Sequence, residues 1–495
     1  MSSIIEFLQQ RSSILWTISI LLLHSLLTLA IVVRVIMSNR SVGASLAWIS
    51  VVFMFPMLGP GFYLLIGELR LGSRRVKLVK RLYDPIRRRY LNLDRSNLQV
   101  NWSEIGDESE LLAKAGLRML QVPTLPGNRL ELIGEWEVVF NRLIADIDAA
   151  AINCDLEFYI WHCGGRAEEV AEALTRAVKR GVICRLLLDA LGSQRFLRSK
   201  TAQKLRASGV QIQAALPGGL WRLMFVRFDL RLHRKIVLID DKIGWTGSLN
   251  LVDPRFFKLN AGFGHWVDAM SRLEGPAVEA LAITFQADWY VESNSSAIEL
   301  PDVTGDQPIT QVGSQAVQVL PSGPANQVEA IERILITAIY TARRELVITS
   351  PYFVPSEALQ MALASAAYRG VKVIIIVPAK VDSLLVRWAS QAFIGDLMDA
   401  GVIVARFHGG LLHTKSVTID GRISLFGSLN MDPRSFRLNF EITLAVYDQE
   451  FAVALRALQQ SYLDQSEIMD RVAWGKRSAV TRFGEKAARL MGPLL

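Results

Sequence analysis

The chain has 495 residues, too many for one compact domain and enough for two or three. Hydrophobic residues make up 51% and charged residues 21%, which excludes a disordered chain and points to some membrane-embedded sequence. The 55 Lys and Arg exceed the 47 Asp and Glu by 8, a surplus that favours an anionic partner: nucleic acid, an anionic membrane or a phosphate-bearing substrate.

Ser12 to Val33 gives 22 residues without Lys, Arg, Asp or Glu, and Ser41 to Gly67 gives 27 more. A helix needs about 20 residues to cross the hydrocarbon core, so each run is long enough. A cleaved signal peptide would have an apolar core of roughly 7–15 residues, without a second spanning run so close behind it. The short connection from Arg34 to Arg40 predicts a two-helix transmembrane hairpin over residues 1–69, its second helix kinked at Pro56 and Pro60. His24 has no charged partner in either run, so a helix-contact role is expected of it rather than catalysis.

Residues 70–128 form a basic juxtamembrane region. Arg70, Arg74, Arg75, Lys77, Lys80, Arg81, Arg87, Arg88 and Arg89 are interrupted only by Asp84. Such a cluster marks the cytoplasmic side and binds anionic head groups, although a solvated helix face gives the same pattern. The three cysteines, Cys154, Cys163 and Cys184, have no CxxC spacing, which argues against a disulfide framework or a structural zinc site and for a reducing compartment.

From about Leu130 helical and strand-like stretches alternate. Trp136–Ala149 reads as a helix, Leu156–Trp161 as a strand, Ala167–Arg180 as a helix and Ile183–Leu188 as a buried strand, and the same order returns after Val328. That alternation predicts an α/β sheet covered on both faces. The repeat becomes literal where LHRKIVLIDDKIGWTGSLN (232–250) matches LHTKSVTIDGRISLFGSLN (412–430) at an offset of 180, and DPRFFKLN (253–260) matches DPRSFRLN (432–439) at an offset of 179. Two duplicated α/β halves follow, 129–293 and 315–471, joined by a linker at 294–314 and followed by a basic amphipathic segment at 472–495. This last segment is expected at the membrane surface, whereas the apolar-basic stretch 218–228 fits ordinary packing slightly better.

Each half carries His-x-Lys-x-x-x-x-Asp: His233, Lys235 and Asp240, then His413, Lys415 and Asp420. Residues i and i+2 of an extended chain share a face, so His and Lys can meet one site. A neutral imidazole is a nucleophile or acid/base near neutral pH, and a Lys beside it supplies charge for a phosphate oxygen. Asn250 and Asn430 follow each His by 17 residues, with Ser248 and Ser428 two places earlier, as further hydrogen-bond donors for the same phosphate. Six histidines and average Lys and Asp usage give about 0.015 chance matches per chain, so two matches followed by GSLN are not coincidence.

These motifs resemble the phospholipase D superfamily, whose signature is HxKx4D followed by GSxN. Within it, the chain is similar to bacterial cardiolipin synthases through the N-terminal hairpin, GELRLGSRR (67–75), FYIWHCGG (158–165), TSPYFVPS (349–356), both motifs and the GPLL ending (492–495). The resemblance implies two α/β halves sharing one active site, and phosphatidyl transfer between two phosphatidylglycerol molecules to give cardiolipin and glycerol. It implies His233 as the attacking group and His413 as acid and base, with Lys235, Lys415, Asn250 and Asn430 on the phosphoryl oxygens and no metal or other cofactor. Asp240 and Asp420, members of the same motifs, are expected to hold backbone rather than react. Glu441 lies where relatives place a His-orienting acid; the first half has Gly262 at the aligned position and Asp268 nearby as a substitute, and which acid serves which His stays open. The implied partners are phosphatidylglycerol, cardiolipin and anionic membrane lipids rather than nucleic acid, with oligomeric state open, a homodimer included. The implied location is a bacterial inner membrane, multi-pass, with the catalytic part cytoplasmic. A hydrolytic phospholipase D and a phosphodiesterase nuclease are the alternatives.

Overall fold

The computed structural model describes every residue except Met1, 39–41, 57, 96–98, 219–225, 228, 258–261, 263, 294–309, 326–327, 382–383 and 491–495. The stretch 218–228 and the linker 294–314 therefore lie largely outside the described residues. The chain divides into two units, Met1–Gly72 with Gly218–Asp229, and Ser73–Pro217 with Leu230–Leu495.

In the smaller unit, α1 (Ser2–Ile36) carries one apolar stretch, Ser12–Ile36, long enough to span a bilayer. The second apolar run is not one helix. It forms α2 (Val42–Met54), then α3 (Leu58–Phe62), which passes into a π-helical turn at Tyr63–Gly67. The 13 residues of α2 reach only about 20 Å, less than a hydrocarbon core. Pro56 stands at the break, where a missing N–H and a clash with the preceding turn end a helix. Ile31, Val35, Ala44, Trp48, Val52 and Tyr63 are buried within this unit, with the rings of Trp48 and Tyr63 edge to face at 5.4 Å. Most of α1 instead exposes large apolar side chains, such as Leu23 and Leu26.

The larger unit is built on one 16-stranded sheet and a separate two-stranded one. Its first half contributes β1 (Leu125–Ile133), β2 (Asn153–Phe158), β3 (Ile183–Asp189), β4 (Gln211–Ala215), β5 (Arg231–Leu232), β6 (Ile236–Ile239), β7 (Ile243–Gly247), β8 (Trp266–Val267) and β9 (Met270–Glu274). The second contributes β10 (Gln315–Ser322), β11 (Glu345–Thr349), β12 (Lys372–Pro378), β13 (Ile403–Phe407), β14 (Leu411–Leu412), β15 (Ser416–Ile419), β16 (Ile423–Gly427), β17 (Asn439–Tyr447) and β18 (Ser466–Ile468). From the centre outward the first half runs β1-β9-β7-β6-β2-β3-β4 and the second β10-β17-β16-β15-β11-β12-β13, with β1 and β10 paired antiparallel at the middle. β8 and β14 pair separately as the two-stranded sheet. The duplication seen in the motifs is thus a duplication of topology. Apolar runs such as Ile374-Ile375-Ile376 bury side chains on both faces, where helices cover the sheet.

Helix α4 (Ser73–Arg95) carries the basic cluster and packs on α5 (Ala277–Glu292). Not all of its charges face solvent: Arg89 is buried, bonded to Glu279 and Gln286, and Arg75 pairs with Glu292. At the far end α7 (Ala479–Leu490) lies against α6 (Leu384–Asp399). Ala488 and Glu485 are buried, while Val480 and Phe483 stay exposed. The C-terminal segment is therefore docked on the domain along one face, which the expectation of a purely interfacial helix omitted.

Candidate active site

The short strands β5, β8, β14 and the start of β17 build the site. Phe440 of β17 pairs in parallel with Leu232, just before His233, and Val267 of β8 pairs with Leu412, just before His413. The backbone N–H of His233 donates to Phe440 O (2.9 Å), and that of His413 to Val267 O (2.8 Å). Each half's motif is therefore edged by the other half's chain.

The residue that follows each edge is an acid. Glu441 Oε2 lies 2.8 Å from His233 Nδ1, and Asp268 Oδ1 lies 2.7 Å from His413 Nδ1. The open pairing resolves as crossed: the acid of the second half serves the first motif, and that of the first half serves the second. The two acids are structural equivalents 173 residues apart, because Gly247 pairs with Met270 as Gly427 pairs with Thr443. Alignment at a constant offset of 179 put Gly262 opposite Glu441 because the first half is six residues longer between its DPR segment and the acid.

The serines depart from the expected role. Ser248 donates to Asp268 (2.6 Å) and Ser428 to Glu441 (2.5 Å), so both hydroxyls orient the acids instead of facing a phosphate. The glycine before each serine follows from the same geometry. A Cβ on Gly247 would stand 2.4 Å from Ala269 O, and one on Gly427 2.2 Å from Ile442 O, so only glycine lets the acid-bearing strand approach. Asn439 adds a hydrogen bond to Glu441 Oε1 (3.1 Å).

Lys235 and Lys415 are buried, and each ammonium donates to the carbonyl of its own His. Asn250 accepts from Ile160 N (3.1 Å), which leaves its buried Nδ2 without a protein partner; Asn430 Oδ1 is likewise unpartnered. Such buried polar groups are costly unless a ligand meets them. Tyr159 and Trp266, both missed at the sequence level, lie with ring centroids 5.1 Å from His233 and 4.4 Å from His413. Their signal was present in FYIWHCGG (158–165) and in the tryptophan two residues before Asp268.

Asp240 and Asp420 stand apart from this cluster, at the other end of β6 and β15. Asp240 accepts the backbone N–H groups of Ala151, Ile152 and Asn153, and Asp420 those of Arg343, Arg344 and Glu345. Both adopt left-handed backbone, φ +53°. They clamp the preceding loop to the motif strand and touch no reacting group.

Burial lowers both histidines to about 4, outweighing the attraction of Glu441 and Asp268. Burial also lowers Lys235 to about 8 and Lys415 well below its usual value. Against their own burial, Asp268 is held down to about 2 by His413 and Lys415, and Glu441 is held below its usual value by His233 and Lys235. Two equally buried imidazoles, each beside two lysines, move together. Each imidazole turns Nδ1 to its carboxylate and Nε2 away from it. Among the described residues no cluster of three or more His, Cys, Asp or Glu could hold a metal.

Two HxK segments at a pseudo-twofold axis, each with a carboxylate from the opposite half, define a phospholipase D-like enzyme. The family described as cardiolipin synthase, PLD-like domain matches residues 143–289 and 335–462, and the phospholipase D-nuclease N-terminal family matches 26–68. Cardiolipin synthase A of Erwinia tasmaniensis is 42% identical over 95% of this chain and 96% of its own length, and that of Escherichia fergusonii is 41% identical over 96% and 98%. The chain belongs to the cardiolipin synthase family of the phospholipase D superfamily. A phosphatidylserine synthase of Haemophilus influenzae shares the fold, with a TM-score of 0.59 at 15% identity over 79% of this chain and 100% of that one.

Proposed function

We propose that the chain is a phosphatidyltransferase that joins two phosphatidylglycerol molecules into cardiolipin and glycerol through a phosphatidyl-histidine. His233 Nε2 attacks phosphorus, and the bond from phosphorus to the head-group glycerol oxygen breaks. His413, which takes up a proton at Nε2 as the anionic substrate binds, gives that proton to the oxygen, and glycerol leaves. The primary hydroxyl of a second phosphatidylglycerol then attacks phosphorus, passes its proton to His413, and expels His233. Covalent capture divides one hard displacement into two easier ones.

The single observation that carries this reading is the crossed pairing of His233 with Glu441 and His413 with Asp268. It supplies two imidazoles with unbonded Nε2 atoms and carboxylates that stabilise the imidazolium formed in either step. The phosphodiester brings one negative charge into a site holding two lysines, and that charge raises the imidazole that must act as acid. Lys235, Lys415 and the Asn250 amide are the groups for the equatorial oxygens. The assignment of attack to His233 rests on resemblance, since the geometry is nearly symmetric.

The same reading places the chain in a bacterial inner membrane as a multi-pass protein with the catalytic unit cytoplasmic. Support comes from the apolar span of α1, from α2 and Leu58–Gly67 as a broken return, and from the basic α4 directly after them.

Purified protein given labelled phosphatidylglycerol, with and without EDTA, tests the function. Cardiolipin and glycerol in equal amounts, unaffected by EDTA, are expected. Phosphatidic acid as the product would make it a hydrolase, and loss of activity in EDTA restored by one metal would overturn the metal-free mechanism.

A further inference from the structure

Behind the first motif, α4 and α5 flank an open cavity of about 440 Å³, within the range of small-molecule sites. Val79, Leu82 and Ile86 of α4 face Ile283, Ala287 and Val291 of α5 across it. Arg234 and Phe440 also line it. Arg234 lies between His233 and Lys235, and in an extended segment alternate residues point to opposite faces. Its guanidinium bonds Glu441 O (3.0 Å), Ser322 O (3.1 Å) and Asp288, away from the imidazole of His233. The cavity is thus distinct from the seat of the reacting phosphate, yet it touches the residue next to each member of the His233–Glu441 pair.

The chemistry of the lining selects its occupant. The facing walls of the two helices are largely aliphatic, with Tyr83, Tyr90 and Thr284 among them and Gln121 also lining the cavity, which suits a hydrocarbon chain joined to a polar head. Three arginines and one aspartate are the charged lining residues. Arg234 is matched by Asp288 and Arg75 by Glu292, whereas Arg87 is exposed and makes no ion pair among those described. An apolar pocket with surplus positive charge at its edge fits an anionic amphiphile. In the sequence, α4 starts at Ser73, a few residues after the apolar stretch that ends at Gly67.

We propose that this cavity is a second lipid site, seating one acyl chain of an anionic membrane phospholipid with its phosphate at Arg87. The kind of lipid rests on the function proposed above; the cavity does not. An occupant packs against Phe440 and Arg234 and so bears on the backbone that holds His233 and Glu441.

The test uses the full chain in phosphatidylcholine nanodiscs carrying a phosphatidylglycerol with a diazirine in its acyl chain, in both the unsubstituted protein and His233→Ala. After irradiation, mass spectrometry should find label on 79–90 and 283–291 in both. Ala287→Trp should cut that label about tenfold by filling the cavity, and Val79→Trp, which fills it from the other wall, should do the same if the first variant folds poorly. Arg87→Glu should weaken labelling by the phosphatidylglycerol probe and not by a phosphatidylcholine probe. Absence of label from both segments, label unchanged in the Trp variants, or equal labelling by a diazirine fatty acid would overturn the proposal. Label in the cavity of the unsubstituted protein without any lipid turnover by it would leave the site standing and sink the synthase reading; turnover by the unsubstituted protein without the label would do the reverse.

Discussion

The two halves share one topology and one pattern of backbone pairing, and they differ in what stands behind the motif. In the first half the middle residue of the motif is Arg234, anchored to Asp288, Glu441 O and Ser322 O and stacked on Phe440 with 5.6 Å from guanidinium to ring centroid. In the second it is Thr414, which shares a 3.0 Å hydrogen bond with Tyr462. The acids differ too, Glu441 in one pair and Asp268 in the other. A symmetric scaffold supplies two equal imidazoles, and asymmetry enters through the groups one layer behind them. Division of labour between the histidines therefore has a physical source even though their own contacts match.

Removing either histidine should give the largest effect. His233→Ala and His413→Ala should each abolish cardiolipin formation in the labelled-lipid assay with folding intact, because each half supplies only part of one site. Near-normal synthesis by either variant would break the shared-site account.

Glu441→Gln and Asp268→Asn keep the shape of the acids and remove the charge that stabilises an imidazolium. Each should lower kcat by about 10²–10⁴-fold, with KM moving little. Unequal losses from the two variants would show which histidine carries the slower step.

Stability sharpens the contrast between the halves. Arg234→Thr leaves Asp288 without its buried partner and should cost about 3 kcal/mol in denaturant unfolding. Thr414→Val removes two neutral hydrogen bonds, to Tyr462 and to Val267 O, and should cost about 1 kcal/mol. Equal costs would mean that the two motif backings are equivalent.

Acidification gives a further measure. An imidazole lowered from 6.5 to about 4 contributes stability that is present above pH 6.5 and lost as pH falls toward 4, since the unfolded chain then binds more protons. Glu157, Asp155 and Asp432 are all raised, chiefly by burial, and act in the opposite sense. The comparison that isolates the histidines is therefore a variant with both replaced by Ala, which should lose less stability than the parent between pH 6.5 and 4. The smallest effect belongs to Asp240→Asn, which should lower Tm by weakening the clamp on Ala151–Asn153 while leaving kcat nearly unchanged.

The duplicated α/β fold and the His, Lys and Asn set could be read from the sequence because strand alternation and a literal repeat report them directly. The crossed acids could not, since a six-residue difference between halves moves Asp268 off the constant offset and only strand register restores it. The serines looked like phosphate donors because a short polar side chain near a His has no direction in a sequence. The break at Pro56 was read as a kink because proline effects in membrane helices depend on neighbours that composition does not specify. Arg234 was overlooked because a charged residue between two functional ones reads as the solvent side of a strand; here that side faces α5.

The assignment of attack to one histidine is tested most directly by rapid acid quench of the full chain turning over phosphate-labelled phosphatidylglycerol, followed by peptide mapping. The account predicts acid-labile label on the segment 232–240, held as a phosphorus–nitrogen bond to His233. Label on 412–420 would contradict the assignment and exchange the two roles, and absence of any adduct during active turnover would contradict covalent transfer itself.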